Sequence, residues 1–141
     1  MTDTLVPRPA PRPEHAAFAA QVEAAQDVLD AFMAAWNARD PEGVRASFNF
    51  PHVRFASGQV RVMSPDQVNA SMYSGTSLAE WGRSAWRRRE VIHAGPDKVQ
   101  FDTCFARHRP DGSLISAFDS IYIVTLQDGH WGVQGRSSYA P

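Results

Sequence analysis

Cysteine is almost missing from this chain. Cys104 is the one thiol, so the sequence excludes an intramolecular disulfide and a thiolate metal cluster. A small, buried apolar role is the expectation for Cys104, with a nucleophile as the alternative. Net charge is nearly missing too. A formal charge of −1 and a pI near 6.5 give no overall attraction to nucleic acid, an anionic membrane or an acidic partner. No apolar run approaches the roughly 18 residues that span a bilayer, and the first residues lack the apolar segment of a secretory signal. The expected compartment is the cytoplasm. The chain also has no glycine-rich phosphate loop, nucleophile elbow, dinucleotide fingerprint or His-Glu-x-x-His, and its five histidines lack ligand spacing. Neither a metal nor a cofactor is expected.

Apolar material is plentiful: 43% of the 141 residues are hydrophobic, with eight Phe, four Trp and three Tyr. That suffices for one core. Pro7, Pro9, Pro11 and Pro13 alternate near the start, each removing an amide donor and favouring extended backbone. Residues 1–13 therefore read as a flexible proline-rich arm and residues 14–141 as one domain. Use of the arm as a docking peptide is a lesser reading.

Phe18, Val22, Ala25, Leu29, Phe32 and Trp36 recur at alternating spacings of four and three, the single apolar stripe of a long helix. Asp40-Pro41-Glu42 then supplies a cap, a first-position proline and an acidic first turn. This predicts a short second helix carrying Val44 and Phe48 and ending near Asn49, because Pro51 disfavours helical backbone at Phe50. Residues 52–56 and 59–63 alternate polar and apolar around Ser57-Gly58, a small hairpin. Ser64-Pro65-Asp66-Gln67 has the form of a capping box and predicts a third helix ending at Gly75.

Four strand candidates follow at residues 86–94, 98–108, 114–126 and 130–139, separated by Gly95-Pro96-Asp97, Pro110-Asp111-Gly112 and Asp128-Gly129. Short turns between long strands imply an antiparallel meander. In the third of these, Phe118, Ile121, Tyr122, Ile123 and Val124 leave neither face polar. Helices can cover one face only, so the other is expected to meet a second copy.

This order of elements resembles the nuclear transport factor 2-like superfamily. The segments Phe32-Met33-Ala34-Ala35-Trp36-Asn37-Ala38-Arg39-Asp40 and Asp128-Gly129-His130-Trp131-Gly132-Val133 look like its first-helix ending and its last turn and strand. The resemblance covers about residues 16–139. It implies an α+β, cone-shaped, curved antiparallel sheet of about four long strands plus a short hairpin, packed on three N-terminal helices, and a homodimer through the open sheet face. The superfamily includes ketosteroid isomerases, scytalone dehydratases and polyketide-cyclase-like proteins, so the fold alone does not choose an activity. Ketosteroid isomerases use an aspartate base near the start of the sheet and an oxyanion hole of a tyrosine and a protonated aspartic acid. Phe50-Pro51-His52-Val53-Arg54 has no aspartate and the first helix no tyrosine, which disfavours that mechanism here. Scytalone dehydratase-like catalysis would need a histidine and an aspartate together, a role open to His52 and Asp119.

Two readings of His52 stand: an acid–base group in the cone, or a hydrogen-bonded structural histidine. Asp119 interrupts an apolar strand, and a buried carboxylate needs a partner. Arg54, Arg107 and Arg136 are the candidates, for structure or for catalysis. Alternation places Gln134, Arg136 and Ser138 on one face, Trp86, Arg88 and Glu90 on another, and Asp119 opposite Tyr122. Arg54, Trp86, Arg136 and Ser138 are thus candidate ligand-binding residues, with a core role the alternative for Trp86. Alternation also breaks Arg87-Arg88-Arg89 as a continuous patch, so no nucleic-acid site is expected.

The functional expectation is a cofactor-independent pocket protein for a small, largely apolar molecule, isomerising, dehydrating or cyclising it with His52 and Asp119. The alternative is a noncatalytic dimeric module that binds a ligand or a protein.

Overall fold

The structure, a computed structural model, describes residues 8, 9 and 12–141. Most of the proline-rich arm lies outside the described residues. A single-turn-type 3-10 segment, Pro13–Phe18, leads into α1 (Ala19–Asn37), and α2 (Pro41–Ala46) follows after Arg39 takes a left-handed φ of 52°. Six strands come next: β1 (Phe48–Ala56), β2 (Gln59–Met63), β3 (Arg83–Ala94), β4 (Lys98–His108), β5 (Leu114–Gln127) and β6 (His130–Ser138). They form one curved, unclosed sheet in the order β2-β1-β6-β5-β4-β3, antiparallel except for β1 beside β6. Register shifts in the β3–β4, β4–β5, β5–β6 and β1–β6 ladders mark the irregularities that let such a sheet bend.

The stripe on α1 lies on the concave face. Ala25 and Leu29 are fully buried and Phe32 nearly so, in one cluster with Phe101, Tyr122, Val124 and Val133. Burying a leucine such as Leu29 contributes about 2 kcal/mol. The helix end is tied down by Asn37, whose Nδ2 donates to the Ser84 carbonyl and whose Oδ1 accepts from the Ser84 amide, both at 2.8 Å. That amide-to-backbone pairing extends β3 back to Arg83, three residues before the expected start.

The helices differ from the expected three. One long helix and one of six residues form, and residues 64–75 do not become a third. The Ser64–Gln67 capping box is made, yet it opens only a 3-10 turn, Pro65–Gln67, and Val68 is extended. Arg45 holds the chain in this path: its Nε donates to the Pro65 carbonyl (3.0 Å), which also accepts the Val68 amide (3.1 Å), and its Nη2 to the Val68 carbonyl (2.5 Å). Asn69 then accepts from the Ser71 amide at 2.9 Å and caps a separate turn, Ala70–Tyr73. The second helix also ends early, at Ala46 rather than near Asn49. The Ser47 carbonyl already accepts the Val133 amide at 2.8 Å, so sheet pairing begins where helix was expected. With β1 nine residues long, the division into four long strands and a short hairpin gives way to five long strands and one short one.

Two turns set registers that matter below. Ser57 and Gly58 both have positive φ (58° and 71°), as do Asp128 and Gly129 (52° and 77°), the geometry of two-residue hairpin turns. β1 and β6 approach so closely that a Cβ on Gly132 would lie 2.6 Å from the Phe48 carbonyl carbon. Only glycine fits there.

Candidate functional site

Between the concave face of the sheet, α1 and the turns of residues 65–78 lies a cavity of about 340 Å³. Phe32, Met33 and Trp36 of α1, with Phe48, Met72 and Phe105, give it an apolar wall. The opposite wall is cationic and is built by strand register. The two-residue turn places Arg54 directly across from Arg61, the parallel β1–β6 ladder places Arg54 beside Arg136, and the β5–β6 ladder places Arg136 beside Tyr122. Arg107 of β4 adds a fourth guanidinium, and among the described residues no aspartate or glutamate lines the cavity.

These arginines have few partners. Among the described residues Arg54, Arg61 and Arg107 make no hydrogen bond or ion pair, and Arg136 donates only to the Ser138 hydroxyl, at 3.2 Å. The Nε atoms of Arg54 and Arg136 are buried without an acceptor. Arg107, 6% exposed, lies over the rings of Phe118 and Phe105 at 5.1 and 5.9 Å. Burial pushes the Arg54 guanidinium down to about 10, with repulsion from Arg136 adding to it, and the same two causes in the same order lower Arg107.

His52 is stacked on Phe48, centroids 3.9 Å apart and planes within 3°. Its Nδ1 lies 3.0 Å from the Val133 carbonyl oxygen, which can only accept, so Nδ1 carries the proton of the neutral ring. Burial pushes its pKa down to about 4; the Val133 bond works against that, and Arg136 and Arg54 reinforce it. His52 is therefore a neutral ring at physiological pH, with Nε2 an acceptor.

Asp119 is not with it. β5 turns Ser120 and Tyr122 inward and leaves Asp119 on the convex face, its side chain 69% exposed and 3.1 Å from Arg88, which also holds Asp102 at 3.0 Å. The expected His52–Asp119 pair is corrected accordingly: Asp119 and Tyr122 lie on opposite faces, as alternation requires, and Tyr122 is the one that faces the cone. Trp86 is 8% exposed, edge-on to Tyr122 at 5.2 Å, and belongs to the core rather than to the cavity wall. Ser138 also lies beneath the lining, sharing a hydrogen bond of 2.8 Å with Ser120 while it accepts from Arg136; it positions that arginine. Arg54 and Arg136 do line the cavity. Bulges account for the remaining misplacements. The shift between Trp86 and Arg88 sends Arg88 outward and Arg89 inward, and the one between Ile123 and Val124 separates Gln134 from Arg136 and Ser138.

Arg61 was not singled out from the sequence, although a signal existed: a two-residue turn at Ser57-Gly58 fixes residue 54 opposite 61 by counting alone. Among the described residues no cluster of three His, Cys, Asp or Glu side chains could hold a metal, and no helix is long and apolar enough to cross a membrane.

Three solved structures show how widely this shape is shared. A ketosteroid isomerase-like protein from Erwinia carotovora atroseptica superposes with a TM-score of 0.65 over 86% of this chain and 97% of its own, at 18% identity. A protein of unknown function with a cystatin-like fold from Nostoc punctiforme gives 0.72 over 87% and 92%, at 11% identity. An NTF2-like protein with a cystatin-like fold from Novosphingobium aromaticivorans gives 0.69 over 89% and 86%, at 10% identity. At such identities the likeness shows the fold alone. A comparison with curated proteins finds no match. A family model described as NTF2-like protein (DUF6841) matches residues 22–140, nearly the whole folded chain, and the protein belongs to that family.

Proposed function

We propose that the protein binds a small molecule in the cone, and that binding rather than acid–base catalysis is the role of the site. The observation that carries this is the cavity of about 340 Å³ walled by aromatic and methionine side chains, a size within the usual range of ligand pockets. Isomerisation, dehydration or cyclisation by proton transfer would call for an acid and a base of matched pKa. His52 is a weak base with a pKa near 4, and among the described residues no aspartate or glutamate side chain lines the cavity to work with it.

A homodimer through the convex face is part of the same reading. Val62 and Val53, then Val60 and Phe55, pair across β1–β2, and Ile121 and Ile123 continue the apolar surface on β5. A second copy would cover it.

Met33→Trp, which fills the cavity from α1, tests the pocket. A small-molecule library screened by thermal shift should yield stabilising ligands for the wild type and none for a folded Met33→Trp protein. Equal responses in both proteins, or no ligand for either, would remove the proposal.

A further inference from the structure

The arginine wall says what kind of molecule the cone takes. We infer that the ligand is an organic carboxylate, its oxyanion held between Arg54 and Arg136, with Arg61 and Arg107 completing a cationic wall and the aromatic side taking its apolar body. The inference rests on the pocket reading and adds the chemical class.

Three independent features of the geometry support it. First, Arg61, Arg54 and Arg136 stand in one row across β2, β1 and β6, like charges directly opposite one another. Such neighbours repel, and among the described residues no aspartate or glutamate side chain on the cavity wall offsets them. Second, Arg107 is 6% exposed and lines the cavity beside the rings of Phe105 and Phe118, with no hydrogen-bond partner among the described residues. Packed beside a pair of adjoining rings, 5.7 Å apart, and free at its polar edge, it is held for an acceptor still to come. Third, Arg88 and Arg89 on β3 place terminal nitrogens on the carboxylates of Asp102, Asp119 and Asp30, whereas Arg54 reaches no acceptor among the described residues and Arg136 only the Ser138 hydroxyl, with the Nε of each buried and unpartnered. An anion entering the cone supplies what every one of these groups lacks. Guanidinium forks match a planar carboxylate in two parallel hydrogen bonds. The facing wall of Phe32, Met33 and Trp36 suits a hydrocarbon or aromatic body and not a bare inorganic ion.

The test uses calorimetric titration of the whole chain with octanoate, its neutral amide octanamide, and octyl phosphate. Octanoate should bind at least tenfold more tightly than octanamide, and no more weakly than octyl phosphate. Raising NaCl from 50 to 500 mM should weaken octanoate and leave octanamide unchanged. Arg54→Gln should weaken octanoate about 10- to 100-fold, the usual effect of losing a hydrogen bond to a charged group. The same substitution should raise the melting temperature of the ligand-free protein, because it relieves the row of like charges. A merely structural arginine would lower it. Arg61→Gln, on an exposed side chain that folding does not need, should also weaken octanoate, by a smaller factor. Equal binding of octanoate and octanamide would overturn the inference while leaving the pocket standing. Octyl phosphate binding more than tenfold tighter would overturn the carboxylate assignment. Binding of none of the three would overturn it as well, and the cavity-filling screen decides separately whether the pocket reading falls too.

Discussion

Arg89 and Arg107 lie on adjacent strands and are almost equally buried, at 4% and 6% exposure, yet their surroundings are opposites. Arg89 reaches α1, where it meets the Asp30 carboxylate, the Gln26 side-chain oxygen and the Gln26 carbonyl. Burial lowers its pKa and Asp30 works to restore it. Arg107 has two adjoining rings beside it, another arginine nearby and no acceptor among the described residues. The first is a structural contact that joins helix to sheet through both terminal nitrogens. The second is a donor kept open inside a cavity. The difference separates charges that hold the fold from charges available to a ligand, and substitutions can test it.

The largest effect should come from Arg89→Met. Removing one partner of a buried pair costs about 3 kcal/mol or more, here toward the lower end because Asp30 remains half-exposed. Arg107→Met should cost less than about 1 kcal/mol, since it removes a cation and leaves no unpaired acid behind. Urea unfolding of the two variants measures both, and equal losses would break the comparison.

His52 gives the next effect, through pH. Its folded pKa of about 4 lies below the ordinary 6.5, so between those values the unfolded chain takes up a proton that the folded protein does not. Stability is complete above about 6.5 and falls by about 3 kcal/mol as the pH drops to 4. His52→Gln should flatten that limb in acid titrations followed by urea unfolding. Arg54 and Arg136 are the charges facing His52, and a bound anion would oppose them, so octanoate should raise the folded pKa toward 6.5 and make the limb smaller. Asp30 acts in a separate window: burial raises its pKa, the Arg8 and Arg89 hydrogen bonds outweigh that, and its contribution is lost only below about 3.8.

Gly132→Ala should cost about 2 kcal/mol by overpacking, since the new methyl would lie 2.6 Å from Phe48 backbone. Because that contact keeps β1 beside β6, octanoate affinity should fall as well, which separates it from Arg89→Met. The smallest effect belongs to Asp119→Asn on the convex face. An exposed pair with Arg88 is worth about 0.5 kcal/mol or less, and ligand affinity should not change. A large affinity loss there would return Asp119 to the site.

Much of the architecture is legible in residue patterns because local chemistry decides it. The α1 stripe and the glycine-bearing turns at residues 58 and 129 need no distant information. The third helix misleads because its capping box is real, and the extended path that replaces it is held by Arg45, about twenty residues upstream. Site residues divide the same way. His52, Arg54 and Arg136 are recoverable as polar groups on inward positions. Asp119 is not, since alternation gives relative faces and not which face is inside, and Ser138 shares the face of Arg136 but lies beneath the lining, a depth that alternation does not give. Trp86 and Arg88 part company at a bulge that carries no residue signature in this chain.

The Ser57-Gly58 turn carries more of the site than its two residues suggest. It works as a measuring stick, because its length alone decides which β2 side chain is delivered to the mouth of the cone. Inserting one residue there would carry Arg61 to the convex side and bring Val60 or Val62 to the entrance, so the same four arginines would offer one fewer positive charge to whatever enters. Relatives with a turn of another length would then differ in ligand charge while keeping every arginine.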